Sequence, residues 1–357
     1  MSQTRVAPDP RRTARTDPAV ASPAPVRWAS LDVLRGLALA MMVLHHLLEW
    51  TGGNARRRLV GFDGFALTDL AAPAFALGLG AAAFLVGQQV RPAGERTLRW
   101  PRAARALRRY GEVLALGLAI DVAVGGGIDG GGVLLSLAAL GVLVSLLSAA
   151  GATHPAAWWV VAACSVVAAV PVVDPGVDGV LGRLWAGSFS IVVYGTFAAA
   201  GAALAAGAAL AAGARGRGEA GLPLLRVAGL VVAVGSAAYL VVPDRLAPNG
   251  LWPPARHPGH LGFTMWGLAG SLVLWALVRA ALPTSTLLGR GLARAGQRTL
   301  SFFGAHYVAK LVLQHTGLQG TLTSWRWTVA AVLAAVGATA LAMAPRPTRT
   351  AAPIVRG

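Results

Sequence analysis

The chain has 357 residues, 55% of them hydrophobic and only 13% charged, with a formal net charge of +17. A soluble domain carries about 25% charged residues, so this composition lacks the polar material to coat a water-soluble surface. The positive balance does not describe a nucleic-acid binder either, because the arginines gather in short connections and at the ends, without aromatic interleaving.

In chain order, residues 1–28, rich in Pro, Ala, Thr and Arg, read as a disordered cytoplasmic tail. Ser30–Trp50, SLDVLRGLALAMMVLHHLLEW, follows as an uncleaved first span, too long for a signal-peptide core. Apolar runs of roughly 20 residues, the length that crosses hydrocarbon as a helix, then recur. They place spans at 29–50, 65–90, 108–125, 132–150, 156–173, 187–213, 224–243, 261–282, 298–315 and 325–345. Ten crossings put both ends on one side. Most connection arginines, including the run from Arg91 to Arg109, fall on the N-terminal side, which the positive-inside rule assigns to the cytoplasm. Arg56, Arg57 and Arg58 dissent. The expected fold class is all-α, a polytopic integral membrane helix bundle of about ten transmembrane helices with both termini cytoplasmic. Its domain spans 29–345, and 346–357 form a second cytoplasmic tail. Membrane lipid is the surrounding partner, and homo-oligomer formation is left open.

The first span keeps five ionisable side chains. Successive helical residues turn by about 100°, so Arg35 and His46 differ by only about 20° around the axis and lie roughly 16 Å apart along it. Asp32 and Glu49 fall on the same stripe, whereas His45 points about 80° away from Arg35. An ionisable group at mid-membrane costs about 2.5–3.5 kcal/mol, so this stripe must face protein or water. Its bland reading is an Asp32–Arg35 helix-start anchor and a hydrogen-bonded His46; its functional reading is a polar path through the bundle. Glycine and alanine crowd several spans, Gly201 and GLGAAAF at 78–84 among them, and serve helix packing. Asp69 begins the second span near the depth of His46, where it either orients a ring or caps a helix. Arg96 to Arg109 precede the third span with phosphate-recognising guanidinium groups, or with topogenic charge. His306 and Lys310 share a face of the ninth span. His257 and His260 lack a paired acidic ligand, and Cys164 is the single cysteine, so no metal and no intrachain disulfide are expected.

The string LD-x-LRG-x-A followed by histidine, at Asp32, Arg35, Gly36 and His46, resembles the first-span signature of transmembrane acyltransferases, and Arg35 and His46 reproduce the R-x10-H spacing of the acyltransferase-3 family. FDGFALTDLAAPAF, GVLLSLAALGV at 132–142 and GQRTLSFFGAHYV at 296–308 are similar to segments of the heparan-α-glucosaminide N-acetyltransferase family and its bacterial homologues. Leu59 stands at the position of that family's loop histidine, and Leu135 and Ser136 replace its fourth-span Gln-Arg. Heparan or glucosamine acetylation is therefore not inferred, and His46 becomes the candidate base.

The resemblance implies a bacterial plasma-membrane acyltransferase. It would move acetyl from cytoplasmic acetyl-CoA, or another acyl-CoA, to a hydroxyl or amine of a carbohydrate or lipid-linked acceptor outside. Expected roles are His46 as base, with Arg35 on its face and Asp69 orienting its ring. Arg102 and Arg105 are expected at the coenzyme A phosphates, and Asp32, Glu49 and His306 at the substrate. A proton-coupled transporter and a catalytically inactive homologue are the competing readings.

Overall fold

The computed structural model describes residues 28–50, 61–62, 65–90, 97, 99–125, 132–169, 190–215, 222–239 and 261–315. Among them ten α-helices form: α1 (Ala29–Trp50), α2 (Ala71–Val90), α3 (Trp100–Gly125), α4 (Val133–Ala150), α5 (Pro155–Ala169), α6 (Ile191–Arg215), α7 (Leu224–Tyr239), α8 (Leu261–Ala281), α9 (Leu287–Gln297) and α10 (Thr299–His315). A two-residue antiparallel pair, Gly61–Phe62 with Phe65–Ala66, and a 3-10 turn, Leu67–Leu70, lead into α2. The chain is a helical integral membrane protein. Among the described residues Leu67–Val90, Val133–Ala150, Ile191–Ala211 and Gly262–Ala281 are long and apolar enough to cross a membrane.

Two elements differ from the sequence expectation. The third helix begins at Trp100 rather than near 108, so Arg102 and Arg105 lie on the helix itself. An unexpected 11-residue helix, α9, precedes the ninth span and is too short to cross hydrocarbon. Its start is set by Thr286, whose Oγ1 accepts from Gly289 N at 3.0 Å. The expected tenth span at 325–345, both tails, the Arg56–Arg58 triplet, His257 and His260 lie outside the described residues.

Close backbone contact holds the bundle centre. A Cβ at Gly80 would overlap the Ala198 carbonyl, and one at Gly201 would overlap that of Leu77, so α2 and α6 touch through their main chains. In lipid, where water drives little helix association, such small-residue contact supplies the dispersion that joins helices. Hydroxyls add to it between α2 and α4: Ser145 Oγ donates to Ala83 O at 3.2 Å, and Ser148 Oγ to Phe84 O at 3.0 Å.

Helix α1 is gripped along its length. Its start is tied to α8 by Trp275 Nε1, which donates to Ser30 Oγ at 2.7 Å. Gly36 packs on the backbone of Leu292, and Gly296 on that of Asp32, so neither position of the α1–α9 contact has room for a side chain. Near its end it meets the 3-10 turn and α10. Contacts Arg35–Thr299 and His46–His306 appear in the same order along both helices, so α1 and α10 run parallel.

Candidate active site

At the N-terminal end of α1, Asp32 is buried and accepts from Gln297 Nε2 at 3.2 Å. Arg35 Nη2 reaches Thr299 Oγ1 at 3.4 Å, while that hydroxyl donates to Gly296 O at 2.6 Å. The guanidinium also lies 5.7 Å over the Phe75 ring, a cation–π distance. The Asp32 and Arg35 heads thus meet the joint between α9 and α10, where Arg298 leaves helical geometry at φ −110° and ψ 26°.

Three turns further along α1 the imidazoles gather. His46 Nδ1 lies 3.1 Å from His306 Nε2, with ring centroids 5.2 Å apart and planes only 11° from parallel. A nitrogen-to-nitrogen separation this short between nearly coplanar rings describes edge-to-edge bonding rather than face stacking. One nitrogen must donate and the other accept, so the pair fixes complementary tautomers. His306 is 7% exposed, with Phe303 edge-on at 5.6 Å and Tyr307 at 4.3 Å between centroids. Burial of a polar ring among aromatic neighbours makes the shared hydrogen bond costly to lose.

His45, about 80° from Arg35 around the helix axis, faces the segment that leads into α2. Its Nδ1 lies 3.0 Å from Thr68 Oγ1 and 3.5 Å from Asp69 Oδ1, both in the 3-10 turn. Asp69, expected to orient His46, thus contacts the neighbouring ring. The two rings are themselves adjacent, edge to face, with centroids 5.8 Å apart.

A further carboxylate, Asp121 on α3, belongs to no motif read from the sequence. It lies within electrostatic range of Tyr307, and a Cβ at Gly132 would fall 2.7 Å from its Oδ1. The signal was available: Asp121 is the acid inside LALGLAIDVAVGG, and an intramembrane carboxylate is a functional candidate by default. Glu49 falls in the last turn of α1, and its side chain lies outside the described residues.

Arg102 and Arg105 stand apart from this cluster. Arg102 is half-buried and Nη1 donates to Gln89 O at 3.2 Å, near the end of α2; Arg105 is exposed. The structure therefore brings together His46, His306, His45 and Asp69 at one level, Asp32 and Arg35 at another, and keeps Arg102 and Arg105 in the first turns of α3. Among the described residues no group of three or more His, Cys, Asp or Glu is arranged to hold a metal ion.

Comparison with known proteins finds a family match. Residues 27–196 match the family described as "Heparan-alpha-glucosaminide N-acetyltransferase, catalytic", which covers just under half of the chain. That span contains α1 to α5, the 3-10 turn and the first turns of α6, and it bears out the resemblance carried by FDGFALTDLAAPAF; the spacing of Arg35 and His46 is a separate matter on which it does not bear. No curated protein matches the chain.

Proposed function

We propose that this membrane protein, similar over residues 27–196 to an acetyltransferase catalytic domain, transfers an acetyl group from acetyl-CoA to a hydroxyl or amine of a carbohydrate or lipid-linked acceptor. The bias of arginines puts the start of α1 in the cytoplasm, so the donor enters there and the acceptor waits near the outer face of a bacterial plasma membrane. The observation that carries the reading is the 3.1 Å contact of half-buried His46, on the same face of α1 as Arg35, with buried His306.

The chemistry asked of the pair is ordinary acid–base work. With its Nδ1 proton donated to His306 Nε2, His46 presents a lone pair at Nε2. That nitrogen takes the acceptor's proton as the acceptor attacks the thioester carbon. The carbon–sulfur bond breaks, and the imidazolium returns the proton to the departing thiolate, so no net proton is consumed. An imidazole suits both halves of this cycle because it changes charge near neutral pH. Arg102 and Arg105, at the opposite end of the bundle from the histidines, are the candidates for the coenzyme A phosphates. Asp32, Glu49 and His306 remain the candidates for substrate contact.

The test is direct. Purified protein in lipid is given radiolabelled acetyl-CoA with cell-envelope sugars or glycolipids. Label is expected in the acceptor and is expected to vanish in a folded His46→Ala variant. Solute flux into liposomes without acetyl transfer would replace this reading with a transporter.

A further inference from the structure

The geometry points to Asp69 and His45 as positioning residues for His46, an assignment that rests on the acetyl-transfer reading above. Asp69 does not need to touch His46 to govern it. From Asp69 Oδ1 the structure runs 3.5 Å to His45 Nδ1, then ring to ring at 5.8 Å to His46, then 3.1 Å to His306 Nε2. Each junction restricts the next ring.

The carboxylate favours a hydrogen on His45 Nδ1, since that nitrogen lies beside it and beside the Thr68 hydroxyl. With its nitrogen held from the 3-10 turn, the His45 ring cannot rotate without breaking that tie. Its 75° inclination to His46 then sets one wall against which the second ring packs. His306 holds the Nδ1 edge of His46. The base is thus in contact with a ring tied to a carboxylate and with a ring on α10, and both limit its rotation. Neither residue is a catalytic group in this account; both act through His46.

The assignment makes a non-additive prediction. Asp69→Asn and His45→Ala are each expected to lower kcat on the order of 10- to 100-fold, the scale on which loss of the partner that orients a metal-bound histidine acts. The KM for acetyl-CoA should hardly change. The double variant should be no worse than His45→Ala alone, because Asp69 acts only through that ring. His45→Gln separates positioning from simple fold support. Its amide can keep the tie to Thr68, so the melting temperature should return toward that of the unaltered protein while kcat stays low. Recovery of kcat with His45→Gln would overturn the assignment, as would effects that multiply in the double variant.

A second readout needs no turnover. In protein labelled with 15N-histidine and held in nanodiscs, the ring nitrogens of His46 are expected to shift in Asp69→Asn. If they stay put in the folded variant, the assignment is wrong whatever the activity. If the unaltered protein transfers acetyl to no acceptor, the acetyltransferase reading fails, and these resonances still decide whether Asp69 and His45 position His46.

Discussion

Replacing His306 with leucine removes the partner of His46 Nδ1 while roughly preserving volume. The substitution abolishes one N–H···N bond of 3.1 Å and leaves Nδ1 of the half-buried His46 facing an apolar side chain. Leaving one buried polar group unsatisfied costs about 1–3 kcal/mol. If that cost falls on the productive tautomer of His46, its population drops by about 5- to 150-fold, because 1.4 kcal/mol is a factor of ten. The expected result is a fall of that size in kcat, with the KM for acetyl-CoA unchanged. His306→Gln should recover part of the activity, since its amide oxygen can accept from Nδ1. The assay is steady-state acetyl transfer in detergent or nanodiscs, with a thermal melt confirming that each variant is folded. Full activity in His306→Leu would show that the bond does not set the tautomer of His46, and so would a defect expressed entirely as a weaker KM.

Packing and charge determine the remaining outcomes. Gly36→Ala should lower the melting temperature, because the new methyl meets the Leu292 carbonyl and overpacking of this kind costs about 1–3 kcal/mol. Gly111→Ala, at an exposed position of α3 with nothing within 4 Å, should instead leave stability unchanged or raise it by up to about 1 kcal/mol through helix propensity. Arg102→Ala should weaken acetyl-CoA binding in a titration with the donor alone, whereas Glu112→Gln should change neither binding nor melting, since its pair with Arg108 at 3.4 Å is exposed on both sides and such pairs contribute little.

The membrane class and most of the long helices were legible because apolar length is a local property, readable without knowing what a segment packs against. α9 was not, for the opposite reason. LLGRGLARAGQ is short and contains two arginines, so it reads as a connection; it is helical because Thr286 caps it and because Gly296 and Gly36 let it lie against α1. The polar stripe of α1 was visible from helical spacing, and His46 and Arg35 both find partners across the bundle on α10. His45 was set aside because a helical wheel sees one helix at a time. Its partners, Thr68 and Asp69, come from another segment, and no period within α1 encodes them. Asp121 was missed for lack of a motif, although its chemistry alone marked it.

The joint at Arg298 sits eight residues before His306, a lever arm of roughly 12 Å along α10. Swinging that arm by about 10° would carry the imidazole about 2 Å, enough to part the two rings. Because Asp32 and Arg35 hold Gln297 and Thr299 on either side of that joint, the first turns of α1 fix the angle at which α10 presents its imidazole.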